Sequence, residues 1–195
     1  MRVVQRFEEQ RLLSGESTTR IRGALASTVV GVVWHMAVNG AQHEFIVHNN
    51  PVWRDRANFI IHAELPKTDH PKRFEQLWAR HLGDDRFELC CIPFFVFDLA
   101  LGDVVTASPK GSQKYVVRTI AEPSKHYAFR IWFGDSFQPR DEIADELQTA
   151  GSLIEWSSSN LLAVDAINEE HAQLVANFLI AHEKAGNLIY ETGRS

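Results

Sequence analysis

The chain has 195 residues, of which 45% are hydrophobic and 23% are charged, and its formal net charge is −5. This is the composition of an ordinary globular protein, and it excludes disorder, a collagen-like repeat or a coiled coil as a description of the whole chain. Residues 135–195 carry three basic and eleven acidic side chains, a net charge of −8, which disfavours nucleic-acid binding and favours a basic protein partner.

The first 41 residues contain one stretch that resembles a targeting segment. Residues 24–38 are only weakly polar and follow five arginines, but fifteen residues are too few to span a bilayer, and no clean signal-peptide cleavage site is present. We expect residues 1–41 to be a flexible extension, or a segment upstream of a natural start at Met36. No membrane partner is expected.

Residues 42–122 are predicted to form a β-rich subdomain with one helix. Short apolar runs between turn residues indicate strands at 45–47, 59–63, 87–91, 94–97, 104–107 and 115–120. Four apolar residues have the i, i+3, i+4 and i+8 spacing of a helix face, ahead of a glycine at the C-cap position: Phe74, Leu77, Trp78 and Leu82. Strands this closely spaced predict a small curved sheet or a partial barrel.

Residues 123–195 are predicted to form a second subdomain with the order β-α-β-β-α-β. Apolar residues alternate along 127–133, a helix follows from Pro139 to Gly151, and Asn168 is a good N-cap for a second helix that ends at Gly186. Strands are expected at 152–156, 161–166 and 188–191. This is the ferredoxin-like order, in which two helices cover one face of a four-stranded antiparallel sheet. The fold class is therefore α+β, and the bare sheet face has to pack on the first subdomain, a second copy or a partner.

The sequence lacks the patterns that most clearly indicate chemistry. There is no glycine-rich phosphate loop, no nucleophile elbow, no C-x-x-C and no H-E-x-x-H, so no cofactor is expected. The histidines, His43, His48 and His62 among them, have no cysteine or carboxylate at ligand spacing, so no metal is expected. Cys90 and Cys91 are adjacent and point to opposite faces of any strand, so they predict no disulfide and favour the cytoplasm.

Seven residues are candidates for a pocket or an interface between the two subdomains. His126 lies beside Ser124, and Asp98 or Asp103 is a possible third member of a catalytic group. Acidic side chains in the first subdomain form a possible acid–base pair, and aromatic residues are possible walls of a groove. The full set is Glu88, Asp98, Asp103, His126, Arg130, Trp132 and Trp156.

Several motifs resemble a bacterial family, domain of unknown function 4265. They are Trp78-Ala79 with Leu82-Gly83, Phe87-x-Leu89-x-x-Ile92-Pro93-Phe94-Phe95, Gly102-Asp103-Val104-Val105, Ala163-Val164-Asp165 and Tyr190-Glu191-x-Gly193, within residues 42–193. The resemblance implies a bacterial protein of the cytoplasm, and it carries no catalytic residue.

These observations favour three functions. The first is a non-catalytic protein-binding factor of accessory or immunity type, for which the acidic last third and the bare sheet face are the evidence. The second is a small-molecule-sensing module, which is expected to be a homodimer. The third is an enzyme of unrecognised type with its site between the subdomains.

Overall fold

The computed structural model describes residues 33–38, 41–66, 73–110, 114–134 and 139–193. In these ranges the chain forms eleven strands, two α-helices and a short 3-10 helix at Arg54–Arg56. The strands are β1 (Val33–Val38), β2 (Ala41–Val47), β3 (Phe59–Glu64), β4 (Arg73–Gly83), β5 (Arg86–Leu89), β6 (Val104–Lys110), β7 (Lys114–Glu122), β8 (Tyr127–Trp132), β9 (Leu153–Trp156), β10 (Leu161–Ala166) and β11 (Ile189–Thr192). The helices are α1 (Arg140–Thr149) and α2 (Glu169–Lys184).

Seven strands form the first sheet, which curves until it closes on itself. Their order is β1-β2-β4-β3-β7-β6-β5, and an additional pairing of β4 with β5 joins β4, β3, β7, β6 and β5 into a ring. The ring encloses a core that includes Ile61, Leu77, Phe87 and Val105. The α+β class and the curved first sheet are therefore confirmed. β1 lies within residues 1–41, for which the sequence predicted only an extension, and residues 1–32 lie outside the described ranges.

The helix predicted around Phe74–Leu82 is wrong, because this segment is strand β4. Its backbone pairs with β3 along one edge, and with β2 and then β5 along the other. Leu77 and Ala79 alternate into the barrel core, whereas Leu82 is exposed. Hydrogen bonding along both edges thus outweighs a local helical spacing. Gly83 and Asp84 have positive φ angles of 102° and 48°, and they form the β4–β5 turn instead of a helix cap.

The strand predicted at 94–97 is also wrong. Residues 90–103, between β5 and β6, form no strand. The apolar run in this segment is instead an irregular loop whose backbone is hydrogen-bonded by charged side chains of other elements.

The second sheet follows the predicted order of elements, with β8, α1, β9, β10, α2 and β11 in succession. Its strands are arranged β11-β8-β10-β9, and every neighbouring pair is antiparallel. Both helices pack on the same face, where Phe129, Ile131 and Val164 form one core with Leu147 and Leu179. Asn168 caps α2 as predicted, because its side chain accepts a hydrogen bond from the backbone N–H of His171 at 2.8 Å.

The other face of the second sheet packs on the first sheet. Ala128 and Ala163 lie in one apolar cluster with Ile46, Ile92 and Phe94. The chain itself therefore covers the face that the helices leave bare. We call the layer between this face and the first sheet the seam.

Candidate functional site

His48 lies buried in the seam between two carboxylates. Its Nε2 is 3.0 Å from an oxygen of Glu75 on β4, and its Nδ1 is 2.6 Å from an oxygen of Glu155 on β9. The ring stacks on Phe94 with 4.0 Å between centroids. Burial opposes a charge on His48, but its hydrogen bonds to Glu155 and Glu75 outweigh it and raise its pKa well above the ordinary value. An imidazole that faces carboxylates with both nitrogens needs both protons, so His48 is an imidazolium.

The two glutamates also bind the backbone of neighbouring loops. Glu75 accepts hydrogen bonds from the N–H groups of Phe94, Phe95 and Val96 at 2.6, 2.9 and 2.9 Å. Glu155 accepts from Val52 at 3.0 Å and Ile92 at 2.8 Å. Burial alone would raise the pKa of Glu75, but His48 and these N–H groups lower it overall. A carboxylate from each sheet therefore holds the loop of residues 92–98 in place.

Arg130 on β8 binds the carbonyls of the same loop. Its guanidinium donates to the carbonyl oxygens of Pro93 and Val96 and lies 4.6 Å from the ring centre of Phe97. Glu191 on β11 is 3.5 Å away. Burial lowers the pKa of Arg130. This candidate residue is thus placed against the loop backbone, where it satisfies buried carbonyls.

Asp98 and Asp103 both lie in tight turns. Asp98 is the last residue of this loop, and Asp103 directly precedes β6. Asp98 is exposed, has a φ of 64°, and donates its backbone N–H to the carbonyl of Gly193 at 2.7 Å. Asp103 is buried and accepts hydrogen bonds from the backbone N–H groups of Ala100 at 2.9 Å and Ser124 at 2.6 Å. Of these two carboxylates, Asp103 is close enough to His126 to raise its pKa.

The partner of His126 is Asp165, which sequence reasoning missed. Nδ1 of His126 lies 2.8 and 3.0 Å from the two oxygens of this buried carboxylate on β10. The hydrogen bond raises the pKa of His126, while burial raises the pKa of Asp165. Ser124 accepts the backbone N–H of His126 at 3.3 Å. The available signal was a single charged residue inside the otherwise apolar strand that contains Asp165.

The remaining candidates lie apart from one another. Glu88 bridges Arg56 and Arg80 on the outside of the barrel. Trp156 on β9 is opposite Leu162 of β10 and lies on the face that the helices cover. Trp132 on β8 is opposite Leu161 of β10 and lies on the other face. The seven predicted residues are therefore distributed over the outside of the barrel, the seam and the second sheet. The residues that meet in the seam include His48, Glu75, Glu155 and Asp165. For Glu155 the available signal was a charged residue between Ile154 and Trp156, whereas Glu75 stands between Phe74 and Gln76 and gave no such signal.

The two cysteines are buried and free. Burial raises the pKa of Cys90 to about 11 and also raises that of Cys91, so both thiols are protonated at neutral pH. Within the described ranges, no three histidine, cysteine, aspartate or glutamate side chains are grouped to hold a metal ion.

The outer surface of the two helices, which we call the helical layer, is acidic and partly apolar. A groove with a volume of about 60 Å³ lies between α1 and α2, lined by Glu146, Leu147, Ala150, His171, Leu174, Val175 and Phe178. Leu174 is 63% exposed at its edge. Glu146 lines the groove, and the two helices carry further exposed carboxylates: Asp141, Glu142, Asp145, Glu169, Glu170 and Glu183.

Residues 75–190, more than half of the chain, match the family described as "Domain of unknown function (DUF4265)". The chain belongs to this family. The resemblance drawn from the motifs is thereby confirmed over β4 to β11. In this DUF4265 chain, the Ile92-Pro93-Phe94 motif is the loop held by Glu75 and Glu155, and Gly102-Asp103 is a turn closed by the Asp103 carboxylate.

The chain is similar to the solved structure of a hypothetical protein from Neisseria gonorrhoeae. The TM-score is 0.60 at 18% identity, over 69% of this chain and 93% of that chain, which shows a shared fold. No curated protein matches the chain. Among the described residues, no helix is long and apolar enough to cross a membrane.

Proposed function

We propose that the protein is a non-catalytic protein-binding factor of accessory or immunity type, and that it docks a basic partner on its helical layer. The observation that carries the proposal is the exposed Leu174 at an apolar groove that Glu146 lines, on helices rich in exposed carboxylates. The seam supports it less directly, because His48, Glu75, Glu155 and Arg130 are buried there in bonds that hold the fold together.

The chemistry of the groove defines the partner. An opening of about 60 Å³ accommodates one aliphatic side chain, and Leu174 and Phe178 supply the apolar contact. Lysine or arginine residues beside that side chain meet Glu142, Glu146 and Glu170, which are exposed. In protein interfaces a buried apolar anchor usually supplies most of the affinity, and a charged rim mainly raises the rate of association.

We also infer a ferredoxin-like fold for the second sheet and a cytoplasmic location for the protein. The strand order β11-β8-β10-β9, with antiparallel neighbours and both helices on one face, supports the fold. Two free, buried cysteines support a reducing compartment. This fold serves many functions, so the fold itself does not favour docking over another role.

A second candidate function is acid–base catalysis at His126, supported by its hydrogen bond to the buried Asp165. A carboxylate that holds one imidazole nitrogen leaves the other nitrogen to accept a proton. Ser124 Oγ accepts the backbone N–H of His126 at 3.3 Å, so this contact joins the serine to the backbone of His126.

The test is a quantitative capture of partners from the source organism with tagged protein. Wild type is compared with Leu174→Lys and Glu146→Lys. Their matched controls are Ile120→Lys and Glu122→Lys, at two exposed positions on β7. We expect one basic protein in stoichiometric amount with wild type and both controls. Its affinity, measured after purification, should fall about tenfold or more for Leu174→Lys.

Glu146→Lys should mainly slow association and weaken its dependence on salt. Absence of a stoichiometric partner, an acidic partner, or a partner retained equally by all variants would contradict the proposal. Unfolding curves come first: Leu174→Lys should match wild type because the side chain is exposed, so loss of binding then reports the surface.

A further inference from the structure

A small basic patch lies at the edge of the seam, on the barrel side of the molecule. The guanidinium of Arg56 stacks 3.9 Å from the ring centre of Trp53. The ring of His126 meets the same indole edge-on, with 5.7 Å between centroids. Three further basic side chains are exposed. Arg54 is on the same 3-10 helix as Arg56, Arg80 pairs with Glu88 as Arg56 does, and Lys125 precedes His126 in the chain. We call Trp53, Arg56 and His126 the Trp53 patch.

His126 has a fixed orientation in this patch. Its Nδ1–H donates to the buried carboxylate of Asp165, so the nitrogen able to contact a ligand is Nε2. The side chain is 19% exposed, which leaves part of the ring open to solvent. Gly102 packs against Trp53, where a Cβ would stand 3.4 Å from the indole. The indole is therefore held in place between the turn at Gly102 and His126.

Within the part of the chain that the structure describes, Arg56 has donors beyond those that bind the protein. Its Nη2 donates to both oxygens of Glu88, at 2.9 and 3.0 Å. A guanidinium carries five N–H donors in a fork that matches a phosphate. The Arg56 side chain is 42% exposed, so an anion can approach it from solvent.

We propose that Arg56 and His126 bind the phosphate group of a small-molecule ligand at the edge of Trp53. Two cationic side chains on one rigid ring match a dianion better than a single carboxylate. The site is separate from the helical layer and does not depend on the proposed docking function. A phosphorylated ligand here would suit the small-molecule-sensing role considered from the sequence.

The charge on His126 depends on groups from three elements. Asp165 on β10 and Asp103 in the turn before β6 raise its pKa, while Arg56 on the 3-10 helix lowers it. The hydrogen bond to Asp165 is the largest influence, and the pKa is raised overall. Binding of the phosphate dianion should therefore weaken as the pH rises through this raised pKa and His126 loses its charge.

The experiment is an NMR titration of the full chain with inorganic phosphate at constant ionic strength, following the ring of His126 and the side chain of Arg56. Parallel titrations use acetate and a short single-stranded oligonucleotide. The variants are Arg56→Gln and His126→Gln, with Arg118→Gln, an exposed arginine on β7, as the matched control. We expect saturable shifts with phosphate, about tenfold weaker binding in either patch variant, and no change in the control.

Asp165→Asn tests the positioning of His126. It should lower the pKa of His126, read from the ring shifts, and move the pH range of phosphate binding downward by the same amount. Absence of saturable shifts, equal weakening by Arg118→Gln, or tighter binding of acetate or the oligonucleotide would overturn the proposal. Arg56 is exposed, so Arg56→Gln keeps the test decisive even if His126→Gln fails to fold.

Discussion

His48 is a buried cation whose two contacts come from different sheets. It lies between Glu75 and Glu155, and each of those carboxylates also binds backbone N–H groups. Placing a charge in the interior is costly, and the hydrogen bonds on both sides offset that cost. The single imidazolium therefore offsets part of the charge of the two carboxylates that hold the loop of residues 92–98.

Replacement of His48 by glutamine should destabilise the protein by about 3–5 kcal/mol, because two buried carboxylates lose their cation. Urea unfolding measures the effect. His81→Gln, at an exposed position on β4, is the matched control and should cost about 1 kcal/mol or less. Equal effects of the two substitutions would contradict this role for His48.

The stability difference between wild type and His48→Gln should also depend on pH. The pKa of His48 is raised above its ordinary value of 6.5, so its contribution is full below about pH 6.5 and is lost as the pH rises through the raised pKa. Asp165 and Glu191, whose pKa values burial raises, titrate in both proteins and cancel in the difference. A stability difference that grows between pH 6.5 and 9 would contradict this assignment.

Acid should act on the same contacts in the opposite sense. The pKa of Glu75 is lowered from 4.5, so the stability it contributes is present above that value and is lost as the pH falls through the lowered pKa. The stability difference between wild type and His48→Gln should therefore be largest between about pH 5 and 6.5.

At the scale of elements, the sequence predicted an element correctly where contacts between neighbouring residues are enough to form it. The Asn168 side chain accepts the N–H of His171, and α2 begins at the next residue, Glu169. By contrast, the spacing of Phe74, Leu77 and Trp78 suits a helix, yet pairing with β2, β3 and β5 makes the segment a strand. A cap is a contact between near neighbours, whereas an edge pairing depends on residues far away in the chain.

Asn168→Ala should destabilise the protein by about 1 kcal/mol, because the first turn of α2 loses an acceptor for its N–H groups. Thermal or urea unfolding measures the change. Asn177→Ala, an exposed asparagine in the middle of the same helix, is the control and should change stability by less than about 0.5 kcal/mol. A larger effect at Asn177 would show that helix propensity, and not capping, governs α2.

At the scale of the whole molecule, the seam joins the two sheets by apolar and charged contacts. Ala128 and Ala163 pack on Ile92 and Phe94, and Glu155 of β9 binds the N–H groups of Val52 and Ile92. Charge is distributed unevenly across this seam. The helical layer is acidic, while the barrel edge carries the basic Trp53 patch. The two proposed sites therefore suit ligands of opposite charge.

The two sheets should unfold together in one transition, because the seam buries charged groups that neither sheet satisfies alone. The far-ultraviolet signal of α1 and α2 reports the second sheet, and fluorescence of a Trp132→Phe, Trp156→Phe variant reports the first. We expect coincident midpoints in urea, and Glu155→Gln should lower both together, with Glu170→Gln as an exposed control. Separate midpoints would show that the sheets are independent units.

The sequence by itself determined the α+β class, the order of elements in the second sheet, the cap of α2 and the family. Each of these depends on residues close together in the chain, or on motifs within it. Only the tertiary structure decided the rest: β4 as a strand, the irregular loop of residues 92–98, and the contact of His48 with Glu75 and Glu155. Those contacts join residues as far apart as positions 48 and 155. Local periodicity carries no information about which buried charges will meet, because that choice is made by the packing of one sheet on the other.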